Sequence, residues 1–389
     1  MKKTSIKKIF CLMIFALILG KIPASDFDSL RTKFVKGNIS DKIETVKLSK
    51  ENDSIQITKM SLDFIIENVN FLNEDRDLCA LTVATILTLP SDSEVLNKNF
   101  PTIKQDLITF FNCFTDETVR ISVLEKFKQI GKDSEDICEI LNNFILNQNS
   151  SSQIVKKTFE CLGLIGNGNS FYILWNAWKN NKFNEYQESL ENALIALSQR
   201  NLPETIKVIF ESTISEIYQF IKIVQKNKEI PLNFKAEIAE NALSSAIHNT
   251  EDNSKNFEDS VNLQLECIKL ISEANWTRSN QLVITYFSVA KKDFNEERMT
   301  SDQFIVVIDC LTNLASTQSA KTLSDYLAEI NSKIEAKTPF CQDVVIAVIK
   351  SLGVLGDKIA FDNLLYVTYL DYSEEVKNLA RESLAKLKW

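Results

Sequence analysis

Residues Cys341–Trp389 read CQDVVIAVIKSLGVLGDKIAFDNLLYVTYLDYSEEVKNLARESLAKLKW, and the spacing of their apolar residues decides the fold. Val344, Val348, Leu352 and Leu355 recur at i, i+4, i+8 and i+11, one stripe of a 3.6-residue period. Gly353 and Gly356 punctuate a turn, and a second helix is expected to bury Phe361, Leu364, Leu365 and Thr368. Asp371 and Ser373 open a third helix, with Glu374 and Glu375 in its first turn, where carboxylates complement the helix dipole. Val376, Leu379, Ala380, Ser383 and Leu387 form its core face, and Lys377, Arg381 and Lys388 give the opposite face the charge of a terminal cap.

Earlier segments share this pattern. Val119, Val123, Phe127, Ile130 and Gly131 match Ile154, Thr158, Leu162, Ile165 and Gly166, and both match Val344 to Gly356. Val376, Ala380, Leu384 and Leu387 match without the glycine, and Tyr186, Leu190, Leu194 and Leu197 match with Ser198 in its place. Fainter copies surround Ile268 and Leu311. Equivalent positions are separated by 35, 32, 74, 43, 41 and 32 residues, spacings that fit stacked two-helix repeats. The small residue before Leu352, the Leu355-Gly356-Asp357 turn and the Asp371-x-x-x-x-Val376-Lys377 entry resemble a HEAT-type repeat. The irregular spacing fits HEAT or armadillo-like units better than strict 34-residue ones. This resemblance implies an all-α solenoid of stacked antiparallel helix pairs, and it covers residues 74–389. Each pair is apolar on two faces, so neighbours must stack to bury both.

Composition agrees. Eight glycines and six prolines are few for 389 residues, and Pro90, Pro101, Pro203, Pro231 and Pro339 all fall near breaks in helical patterning. At the start, Met1 to Lys8 is basic, Ile9 to Gly20 is apolar and Ile22-Pro-Ala-Ser25 supplies small residues. Twelve apolar residues are short of the roughly 20 of a membrane span, so residues 1–24 read as a secretory signal cut after Ala24. The alternative is an uncleaved leader anchoring a structural protein to the envelope. Without residues 1–24 the chain carries 39 basic and 52 acidic residues, a net charge of −13. That charge disfavours nucleic acid and anionic lipid as partners. The expected organisation is a lead with first helices over 25–73 and repeats over 74–225. An irregular helix and polar loop over 226–257 and further repeats over 258–389 follow. Residues 26–50 read as one loose helix.

Few residues suggest chemistry. Gly163-Leu-Ile-Gly-Asn-Gly-Asn-Ser170 looks like a phosphate-cradling loop, yet no strand precedes it and no Lys-Ser/Thr follows at the required spacing. Its Gly166 aligns with Gly131 and Gly356, which predicts a left-handed helix cap at all three. His248 is the only histidine, so histidine triads and multi-histidine metal sites are excluded. Seven cysteines follow the leader (79, 113, 138, 161, 267, 310 and 341), none in CxxC spacing, and they read mostly as buried free thiols. No cofactor and no metal are expected. Sequons at Asn38 and Asn275 matter only in a eukaryotic secretory route, which the Lys-rich leader does not suggest.

Phe171, Leu174, Trp175 and Trp178 recur at i, i+3, i+4 and i+7 and read as core. Tyr172, Asn176 and Lys179 lie off that stripe, as do Tyr366 and Tyr369 in the last repeat. These five are the expected partner-binding residues, since tyrosine gives contact area at low entropy cost. The expected function is an exported, periplasmic, non-catalytic scaffold that binds another protein bearing basic patches. A lyase-like enzyme of the same repeat type is the competing expectation.

Overall fold

The computed structural model describes residues 24–51, 55–149, 152–248 and 257–388. The expected leader therefore lies outside the described residues but for Ala24, and so does the polar loop 249–256. Among the described residues all regular structure is helical, and the sole β pairing is an isolated bridge between Asp357 and Lys388. The architecture is all-α and solenoid-like. The chain divides into two compact units, residues 1–201 and 202–389.

Unit 1 holds α1 (Ala24–Lys36), α2 (Ile39–Glu51), α3 (Ile55–Leu72), α4 (Arg76–Thr88), short α5 (Ser93–Asn99), α6 (Ile103–Cys113), α7 (Glu117–Ile130), α8 (Glu135–Asn147), α9 (Gln153–Ile165), α10 (Gly168–Lys179) and α11 (Gln187–Arg200). Helices α2, α4, α7, α9 and α11 stack in sequence order as one tight row. Helices α1, α3, α6, α8 and α10 form a looser row, in which α6 and α8 barely touch.

Unit 2 repeats the plan. It holds α12 (Leu202–Glu211), α13 (Ile214–Lys226), α14 (Leu232–His248), α15 (Phe257–Glu273), α16 (Asn280–Asn295), α17 (Ser301–Leu314), α18 (Thr317–Glu335), α19 (Gln342–Leu355), α20 (Phe361–Val367) and α21 (Glu374–Ala385). Its tight row runs α13, α15, α17, α19, α21, and its looser row α12, α14, α16, α18, α20.

Local chemistry starts these helices where they start. Asp75, Asp116, Ser152 and Ser373 each accept a bond from a backbone N–H in the first turn. Thr213 with Glu216, and Thr300 with Gln303, form reciprocal capping boxes. Phe127, Leu162, Leu194, Ile268, Leu311 and Leu352, the equivalent positions of the repeat, are all fully buried on tight-row helices. Burial of such a side chain is worth about 1.5–3 kcal/mol before entropy is subtracted.

Four expectations need correcting. Residues 26–50 are two helices, because Asn38 and Asp41 bond each other's backbone N–H and restart the helix after Gly37. Residues 226–257 contain a regular 17-residue helix, α14. Helix α10 packs on α11 ahead of it rather than on α9, and α20 packs on α21, so the glycine turns join successive pairs. Of the three aligned cap glycines only Gly356 is left-handed, with φ 64°; Gly131 (φ −84°) and Gly166 (φ −62°) are not. Those two are small because of crowding: a Cβ on Gly131 would sit 2.5 Å from Ile165 Cδ1, and one on Gly166 3.0 Å from Leu197 Cδ2.

The seams between repeats differ in their mix of charged and neutral groups. In unit 1 basic side chains cap the C-terminal carbonyls of helices in the preceding repeat. Lys126 Nζ donates to Leu89 O (3.0 Å) and Pro90 O (3.1 Å). Lys182 Nζ donates to Leu146 O (3.2 Å), and Arg200 donates to the carbonyls of Gly163 and Leu164. Within the first repeat, Lys42 donates to Phe34 O. Unit 2 has one such lysine, Lys235, whose Nζ donates to Gln225 O (2.9 Å), and the ion pairs Arg278–Glu240 and Lys291–Glu329 cross its seams; elsewhere neutral groups serve. Asn280 Oδ1 accepts from Ser316 Oγ (2.8 Å) and Ser319 Oγ (3.0 Å). Asn363 Nδ2 donates to Ser324 O (3.0 Å), Asn331 Nδ2 to Asn363 O (3.0 Å), and Tyr372 OH to Asn331 Oδ1 (2.8 Å).

Candidate functional site

The core stripe on α10 is as expected: Phe171, Leu174, Trp175 and Trp178 are buried. Off the stripe, Tyr172 is half-buried with its ring 6.3 Å from that of Phe171, while Asn176 and Lys179 are exposed. Tyr366 (39 % exposed) and Tyr369 (75 % exposed) lie at the end of α20. The first trio belongs to unit 1 and the tyrosine pair to unit 2. Glu335 accepts a hydrogen bond from the Tyr366 hydroxyl and holds that phenol above its ordinary pKa.

The glycine-rich stretch 163–170 is engaged in packing. Asn167 caps α10, its Oδ1 accepting from Ser170 N (3.1 Å), and Ser170 Oγ accepts from Asn167 N (3.3 Å). Arg200 occupies the carbonyls of Gly163 and Leu164. The seven described cysteines are free thiols, five of them buried, and burial pushes Cys79 up to about 11. His248 is exposed, its Nδ1 2.7 Å from Ser244 O. Among the described residues no three His, Cys, Asp or Glu side chains converge as metal ligands, and no helix is long and apolar enough to cross a membrane.

A cleft of about 320 Å³ opens where α6 and α8 stand apart. Phe111 of α6 and Phe144 of α8 meet edge to face across it, ring centroids 5.3 Å apart. Arg120, in the first turn of α7, sends its guanidinium between them, the carbon 5.6 Å from one ring centroid and 5.7 Å from the other. Both distances fall in cation–π range. Arg120 Nε donates to Phe114 O at 2.7 Å and so caps α6. Ile140 lines one wall, and exposed Asn112, Asn143 and Asn147 form the rim. Burial lowers the guanidinium's pKa from its ordinary value. Arginine titrates so high that it stays charged here.

Comparison with known proteins adds nothing to this geometry. No protein-family model matches the chain, and a search of curated proteins finds no match.

The sequence reading missed this cleft. Phe111, Phe144 and Arg120 lie outside the stripes and candidate residues that the sequence singled out. A signal was present in Asn143 and Asn147, polar residues four apart on one helix face with Phe144 between them.

Proposed function

We propose that the protein is an exported, non-catalytic scaffold of HEAT-like repeats that binds another protein in the cell envelope, with the periplasm as its compartment. The observation that carries this reading is a set of large apolar side chains left in solvent near helix C-termini of the looser row. Val35 on α1 is 60 % exposed, Phe71 on α3 84 % and Leu146 on α8 55 %. Recurrent exposed apolar groups on a rigid framework suit a partner surface. Tyr172, Asn176, Lys179, Tyr366 and Tyr369 remain the proposed contacts, and the net charge, −8 for the whole sequence and −13 without residues 1–24, favours a partner with basic patches.

Capture from the envelope fraction with tagged protein, identified by mass spectrometry, tests the reading. Substituting Phe71, Tyr172, Tyr366 and Tyr369 with Ser should abolish capture of a specific partner and leave the melting temperature unchanged. Retained capture with lowered melting returns these side chains to packing and overturns the proposal. Higher salt should weaken a genuine complex.

A further inference from the structure

The Arg120 cleft offers a recognition chemistry that helix capping alone does not require. Arg200 is the comparison within the same unit. Its two terminal nitrogens are both taken by carbonyls, Gly163 O and Leu164 O. Arg120 bonds only through Nε, to Phe114 O, leaving the N–H groups of both terminal nitrogens without a protein partner. No described carboxylate pairs with it either, although acidic residues outnumber basic ones in this chain.

Two parallel N–H donors on a planar fork match the two oxygens of a carboxylate. The helix ends nearby do not cancel that charge twice over. Nε already serves the end of α6, and Lys182 serves the end of α8 through Ile145 O and Leu146 O. One unpaired cation suits a monoanion, and no second cation lines the cleft to neutralise a phosphate dianion. The rest of the lining is apolar or amide. Phe111, Phe144 and Ile140 offer contact to a hydrocarbon body, and the rim asparagines both donate and accept, as an amide next to the carboxylate would need. A volume of about 320 Å³ is at the small end of ligand pockets, the size of one terminal residue or a small organic acid.

We propose that the cleft between α6 and α8 receives a carboxylate carried on an apolar group, held in the open fork of Arg120 with its hydrocarbon against Phe111 and Phe144. The chemistry is shared by the C-terminal residue of a peptide and by a free aryl-alkanoic acid. The inference does not depend on the scaffold reading.

Fluorescence anisotropy on the full-length protein tests it with three probes. One is an amino-terminally labelled oligoalanine peptide ending in phenylalanine with a free carboxylate. The second is the same peptide as its C-terminal amide, and the third is unlabelled 3-phenylpropanoate as competitor. The free acid should bind about tenfold or more tightly than the amide, the ratio expected from a charge-assisted bond. Arg120→Gln should erase that ratio. Because Arg120 also caps α6, Asn143→Asp serves as the second variant: it leaves the cap intact, sets a negative charge at the mouth, and should weaken the acid about threefold or more with melting unchanged. Displacement by 3-phenylpropanoate supports the proposal with a small acid as the source. Failure to displace, with the acid-over-amide preference intact, supports it with a peptide terminus. Equal binding of acid and amide, no binding of either, or a preference that survives both variants overturns it.

Discussion

The two units stack five repeats each in the same order, yet the mix of groups that fastens them differs. In unit 1 a cation from one repeat closes the helix end of the repeat before it, as Lys126 does at Leu89 and Pro90 and Lys182 at Leu146. In unit 2 Lys235 does the same at Gln225, but toward the C-terminus serine, asparagine and tyrosine close the gaps, as in the chain Tyr372–Asn331–Asn363–Ser324. The same architecture thus tolerates two solutions to one physical problem, the unpaired carbonyls of helix ends and the loosely packed row beside them. A charged donor gives a stronger bond, but it must be partly stripped of water. A neutral network costs less to bury and needs every member in place.

The largest expected effect is common to both units and calibrates the rest. Leu162→Ala and Leu352→Ala each remove a fully buried side chain between stacked helices, and each should destabilise its own unit by about 2–5 kcal/mol in chemical denaturation. Unequal costs would show that the units differ in packing as well as in fastening. Next comes Lys126→Met, which strands the carbonyls of Leu89 and Pro90 near a side chain only 7 % exposed. It should cost about 1–3 kcal/mol. Asn331→Ala, the matching cut in unit 2, should cost about 1–2 kcal/mol because it strands Asn363 O and Tyr372 OH together. If Asn331→Ala proves the costlier, the neutral seam is the more cooperative one.

Smaller still is the exchange of left-handed caps within unit 2. Gly356→Ala should lose about 1 kcal/mol, and Ala315→Gly should gain about 0.5–1 kcal/mol, since Ala315 adopts φ 51° at the equivalent helix end. The gentlest probe leaves the sequence alone. Cys113 in unit 1 and Cys341 in unit 2 are half-buried, and the other five described cysteines are buried. A thiol reagent in native buffer should label those two first. Cys161 and Cys267 should react only as denaturant opens unit 1 and unit 2 respectively, which gives each unit its own opening curve by mass spectrometry.

The 3.6-residue stripes were legible because a helix that buries one face must repeat its apolar residues. Val344, Val348 and Leu352 are accordingly all fully buried. Gly356 was legible as a left-handed cap. Gly131 and Gly166 were not, because what they avoid is a neighbour's methyl group, and that neighbour is set by stacking. The fastening cations left no local trace. Lys126 sits between Glu125 and Phe127 with no period of its own, and its targets are 36 and 37 residues earlier. Arg120 was hidden for the same reason: its environment is built by α6 and α8 together. Only the end of α18 shows what the Tyr372 hydroxyl is for.

The reach of the capping cations also fixes an order in time. Lys182 lies 36 residues after Leu146, and Arg200 36 residues after Leu164, so each basic residue leaves the ribosome one repeat later than the helix end it closes. A nascent chain halted after α9 therefore presents the ends of α8 and α9 still open to water, and adding the next pair seals both. At that stage the newest repeat is the weakest, and a chain emerging from the ribosome is easiest to unravel there.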